Sequence, residues 1–168
     1  MVGQTAKLLN AEPSEPKIFN RQIAFNVLPQ IDAFEDNGYT REEMKLFWET
    51  QKILADDSIL VNATAVRVPV FYGHSEALHI ETRSKLLATE ARELLLGAPG
   101  IILLDDEDYP TAVTHAAAED AIYVSRVRDD ISHPLGLNLW VVADNIRKGA
   151  ALNAVQIAEV LIEKYVDI

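Results

Sequence analysis

The sequence predicts an α+β fold: a mixed, mainly antiparallel sheet with helices packed on one face. Three observations carry this. Runs rich in β-branched residues recur at residues 59–70, 121–128 and 137–142. Helical stretches with readable ends stand at residues 40–54, 89–96 and 149–165. The two kinds of segment cluster without the regular strand–helix alternation of a parallel sheet.

Residues 2–10 read as the last turns of a helix, followed by the Pro-containing linker AEPSEP. A helix with no clear start directly after Met1 predicts that chain upstream is missing. Residues 22–28 (QIAFNVL) alternate well enough for a strand. Asp36-Asn37-Gly38 marks a turn, and Thr40-Arg-Glu-Glu43 fits a capping box with Thr40 as N-cap. Residues 59–70 (ILVNATAVRVPV) read as a strand, which Pro69 and Gly73 then bend. A short strand is expected over 77–82. A helix follows over 89–96, with Gly97 as its C-cap and Pro99 beyond. Residues 100–104 form a strand of buried character, and 105–108 a solvated acidic turn. Two more strands, 121–128 and 137–142, precede a last helix from Gly149 to about Tyr165. That helix is apolar around most of its circumference.

Composition bounds what the chain does. Its 168 residues fit one domain, and 49% hydrophobic content is enough for a core. A net charge of −11 argues against non-specific nucleic-acid binding, because an acidic surface repels a phosphate backbone. No apolar stretch approaches membrane-spanning length, and the N-terminus lacks a signal-type apolar core. No nucleic-acid or membrane partner is expected, and the default location is the cytoplasm. With no cysteine, disulfides, thiolate metal sites and thiol nucleophiles are excluded. The seven glycines include no G-x-G pair, so the dinucleotide fingerprint is missing too.

Four stretches carry a family resemblance: RQIAFNVLPQIDAFEDNGYTREEMK, ATAVRVPVFYGHSEALHIET, DDISHPLGLNLWVVADN and IRKGAALNAVQIAE. In this order they resemble the second half of bacterial aspartate-semialdehyde dehydrogenases. The resemblance implies a C-terminal domain like that of glyceraldehyde-3-phosphate dehydrogenase. It divides the chain into a catalytic and dimerisation domain, residues 1–148, and a C-terminal helix, residues 149–168. In the family that helix packs on the nucleotide-binding domain. The family's reaction is the NADP-linked reductive dephosphorylation of β-aspartyl phosphate, in the biosynthesis of lysine, threonine and methionine. A cysteine forms the thioester, a histidine is the acid/base, and both the cysteine and the nucleotide-binding domain lie upstream of the matched region. The expectation is a homodimer that is inactive alone and binds no NADP tightly. The alternative is a non-catalytic homodimeric scaffold or binding module, natural or engineered; a third is a subunit completed in trans by a separate nucleotide-binding chain.

The resemblance assigns Arg67 to the substrate carboxylate. A guanidinium fork suits that role, because it grips a carboxylate through two charge-assisted bonds. The plain structural alternative is an arginine paired with a surface acid. His74 matches the acid/base histidine, and its ordinary pKa suits proton transfer near neutrality. The alternative is a hydrogen-bonded loop histidine. Glu42 and Lys45 are three apart and share a helix face. By resemblance Glu42 meets the substrate ammonium and Lys45 its phosphate; otherwise they are an acid favoured at a helix start and a solvated lysine. Together these charges suit a zwitterionic phosphate, and weak binding of phosphate, sulfate or an aspartate-like ligand is expected. Asn145 is a candidate cofactor-side residue, beside a small basic turn at Arg147 and Lys148. His79, His115 and His133 lack metal-ligand spacing and read as structural, so no metal is expected.

Overall fold

The computed structural model describes residues 1–166 and divides into two compact units, residues 1–69 and the chain from Val70 onward. The first unit holds helices α1 (Val2–Leu9) and α2 (Arg41–Leu54). The second holds strand β1 (His74–Glu81), helix α3 (Ala88–Leu96) and strands β2 (Ile101–Leu103), β3 (Ile122–Asp129) and β4 (Gly136–Ala143). Helix α4 (Leu152–Tyr165) closes the described chain. Single π-helical turns stand at Ala112–Ala116 and Arg147–Ala151.

In the first unit, α2 begins where the capping box predicts. The Thr40 hydroxyl accepts from the Glu43 amide, and the Thr40 amide donates to Glu43 Oε2 at 2.7 Å. Gly38, at φ +86°, closes the turn before it by donating to the Glu35 carbonyl at 3.0 Å. Two predicted strands are absent. Over 22–28 the chain turns instead: Phe25 takes φ +56°, and the Asn26 amide donates to the Ile23 carbonyl. The Ile23 and Ala24 amides both donate to Gln4 Oε1 of α1, so a side chain satisfies them in place of a ladder. Residues 59–70 lack a ladder as well. The Ile59 carbonyl accepts from the Gln51 side chain, and the Ala65 amide donates to Glu43 Oε1. Only Leu28 and Arg67 pair, through an isolated antiparallel bridge with bonds of 3.0 and 2.8 Å. The β-branched content fitted extended backbone, but no neighbouring strand is there to pair with it.

In the second unit the sheet runs β1-β4-β3-β2, antiparallel except between β2 and β3. This is the mixed, mainly antiparallel α+β sheet expected. Helix α3 packs on one face, where Ala91 meets Val124, Val127 and Leu137. A bulge at Arg126, φ +55°, shifts the side-chain parity of β3 by one. Val124 and Val127 therefore share the core face although three apart. Val142 and Trp140, the alternate set on β4, pack with Ala112 and Ala116 of the first π-helical turn. The indole N–H of Trp140 donates to the Pro110 carbonyl at 2.9 Å. β1 begins three residues before the predicted strand, because pairing with β4 extends to His74↔Ala143. Gly97 closes α3 at φ −88°, not in the left-handed conformation a glycine C-cap usually adopts. The acidic turn at 105–108 is solvated, and Arg92 pairs there with Asp105 and Asp106. The last helix is in two parts, a π-helical turn and then α4, and none of α4 is buried.

Candidate active site

In the first unit, Arg67 is held at both backbone groups by Leu28, and its guanidinium carbon lies 5.0 Å from the Phe19 ring centroid. It lines an open recess with Phe19, Asn20, Gln30 and Asp32. Gln30 is fixed in that wall, accepting from Asn20 at 2.9 Å and donating to the Asp32 carbonyl at 3.2 Å. Glu43 steers the approach of the chain to this point, since its carboxylate holds Ala65 two residues before Arg67. Those amide bonds, from Thr40 and then Ala65, keep the Glu43 carboxyl below the usual glutamate range.

Glu42 and Lys45 share one face of α2, with Lys45 Nζ donating to Glu42 Oε2 at 3.2 Å. Both are half-buried. The hydrogen bond to Glu42 raises the Lys45 pKa first, then the Glu42 charge, with Glu49 and Asp32 adding to it. Asp32 lines the Arg67 recess. Sequence reasoning missed it. An acid in a loop carries no periodic signal, and only its φ of +69° marks it, a conformation that favours Asn, Asp and Gly.

In the second unit, His74 opens β1 with an exposed imidazole that makes no hydrogen bond among the described residues. The preceding Gly73, φ +84°, donates its amide to Asn145 Oδ1 at 2.9 Å. A Cβ at Gly73 would lie 3.0 Å from Ala112 Cβ and 3.2 Å from the Ala143 carbonyl, so only glycine fits. Asn145 is half-buried, and its neighbour Asp144 is buried and accepts from the Arg147, Ala118 and Ile146 amides. Those bonds, Arg147 first, hold the Asp144 carboxyl below its ordinary value. The sequence marks Asn145 as a cofactor-side candidate, but neither the buried Asp144 nor the bond to Gly73 was legible in it. The basic turn is tied down, with Arg147 paired to Asp120 and Lys148 donating to the neutral Gln156.

The other histidines have local partners. His79 Nε2 lies 2.6 Å from Asp130, His115 bonds Thr114 and meets the Tyr123 ring edge-on, and His133 accepts from the Leu135 amide. No cluster of three or more metal-ligating side chains occurs among the described residues.

Comparison with known proteins fixes the family. The profile of the semialdehyde dehydrogenase dimerisation domain matches residues 1–148. The chain belongs to that family. It is 64% identical to an aspartate-semialdehyde dehydrogenase of Shewanella sp., across 98% of the chain and 49% of the relative. It is 61% identical to the Legionella pneumophila enzyme of that name, across 96% and 47%. The crystal structure of aspartate semialdehyde dehydrogenase II from Vibrio cholerae complexed with ASA superposes with a TM-score of 0.94. Identity there is 60%, over 98% of this chain and 49% of that one. A Candida albicans aspartate semialdehyde dehydrogenase with NADP matches at TM-score 0.69 and 26% identity, over 86% and 46%. The chain thus spans about half the length of the relatives it matches, the C-terminal portion.

Proposed function

We propose that this chain is the substrate-gripping and dimer-forming half of an NADP-linked aspartate-semialdehyde dehydrogenase, and that these 168 residues alone turn nothing over. The carrying observation is the charge arrangement of the first unit, where Arg67 lines an open recess with Asp32, and Lys45 and Glu42 pair on one face of α2. Two cations answer the carboxylate and phosphate of β-aspartyl phosphate, and an acid answers its ammonium. In this reading Arg67 holds the carboxylate, Lys45 the phosphate and Glu42 the ammonium. To reach phosphate, Lys45 exchanges or shares its bond to Glu42. His74 donates and accepts the proton; its unbonded, exposed imidazole is free to do so.

The residues present do not fit a dinucleotide. A phosphate cradle needs a G-x-G turn leading into a helix, and the glycines here with positive φ, Gly38, Gly73 and Gly100, lie far apart in sequence. No step through NADP is therefore assigned to this chain. Residues 1–148 form the catalytic and dimerisation domain in this account. The final helix, from 149 on, is the surface on which the nucleotide-binding half rests. The assembled protein is a cytoplasmic homodimer. Supporting the dimer, all eight residues of edge strand β1 are exposed, Leu78 and Ile80 among them.

Titration of the ¹⁵N-labelled chain with inorganic phosphate, and separately with aspartate, tests the recess directly. Phosphate is expected to move the Lys45 amide and aspartate the Arg67 amide. If neither moves at millimolar ligand, the substrate-gripping reading fails.

A further inference from the structure

We propose that Asn145 is a positioning residue that sets where His74 stands; the inference rests on the reading of His74 as the acid/base group. The corner after β4 is fixed first. The buried Asp144 carboxylate accepts three amides, from Ala118, Ile146 and Arg147, at 2.7 to 2.8 Å. Asn145 follows directly, and its carboxamide oxygen accepts the Gly73 amide across 72 residues of sequence.

Gly73 is clamped from the other side as well. Ala112 Cβ and the Ala143 carbonyl fill the place a side chain would occupy, and the left-handed φ bars other residues. His74 is the next residue, and its cross-strand partner is Ala143 itself. Because the imidazole has no hydrogen bond of its own among the described residues, only the backbone at Gly73–His74 fixes its origin. The turn leading into it, Phe71-Tyr72, is exposed and adds little restraint. Asn145 therefore acts on His74 through one amide bond, the one its Oδ1 accepts from Gly73.

The test compares Asn145→Ala and Asn145→Asp by NMR in the full 168-residue chain. In Asn145→Ala the Gly73 amide should exchange roughly five- to tenfold faster, the loss of one hydrogen bond. The His74 ring resonances should shift while those of His79, His115 and His133 stay. Asn145→Asp retains an acceptor oxygen and should return both signals towards the parent. Protection of the β3 and β4 amides serves as the folding control. An unchanged Gly73 amide and His74 ring in a folded Asn145→Ala variant would overturn the inference. So would an Asp variant no closer to the parent than the Ala variant. Failure of the acid/base reading shows separately, as unchanged turnover on His74→Ala in the enzyme assembled with a nucleotide-binding half.

Discussion

Asp130 gives the sharpest single-residue test of how charge supports the second unit. Its carboxylate accepts from the Ser132 amide at 2.7 Å and hydroxyl at 2.8 Å, and lies 2.6 Å from His79 Nε2. These contacts, the Ser132 amide first, lower its pKa from 3.8 to about 2. A depressed carboxyl pKa stabilises the fold above the ordinary value and loses that contribution as pH falls through the depressed one. Urea midpoints of the parent should therefore fall between about pH 4 and pH 2. Asn at 130 should lower the midpoint at pH 6 and make that decline shallower, the rest coming from Glu43 and Asp144. Parallel pH curves for the two proteins would contradict the assignment. The charges of the candidate site were only partly readable at this scale. Arg67, His74, Glu42 and Lys45 stand in stretches that resemble the family, so one sequence sufficed to nominate them. Asp32 and Asp144 were not nominated, and Asn145 was nominated only as a cofactor-side residue, because its bond to the Gly73 amide spans 72 residues of sequence.

At the scale of elements, helix α2 is the part the sequence specifies best. Its start is written in one local motif, Thr40 to Glu43, and both bonds of that motif form. Replacing Thr40 by Ala should cost about 1 kcal/mol of stability. The change is measurable as a shift in the denaturation midpoint; no loss would mean that the cap bonds are not formed in solution. The hairpin of β3 and β4 was readable for a similar reason, since its partners adjoin in sequence. Residues 22–28 and 59–70 were misread because composition reports a preference for extended backbone and not whether a neighbour exists to pair with it. Gln4, Gln51 and Glu43 supply side-chain bonds where ladder bonds were expected. The bulge at Arg126 was invisible in sequence, since a non-glycine residue at φ +55° carries no turn signature there.

At the scale of the whole molecule, uncovered surfaces among the described residues include an edge strand and a helix. One is edge strand β1, exposed along its length. The other is α4, where Val155, Ile157, Leu161 and Ile162 are about half exposed or more. The account gives β1's sheet to a second copy and α4 to the nucleotide-binding half. Sedimentation equilibrium at micromolar concentration should accordingly return twice the 18.7 kDa chain mass, and a monomer would remove the dimer from the account. The central claim is that this chain holds the gripping half of a reaction whose nucleophile and cofactor cradle lie outside these 168 residues. It is tested most directly by NADP-dependent oxidation of aspartate semialdehyde. The assay compares the chain alone with the chain fused behind the unmatched N-terminal half of its Shewanella relative, and includes Arg67→Lys in the fusion. The account predicts no NADPH from the chain alone, turnover from the fusion, and a loss of about 10- to 100-fold in kcat/KM for Arg67→Lys, where the fork is lost and the charge kept. NADPH formation by the chain alone, or an Arg67→Lys fusion as active as its parent, would contradict it.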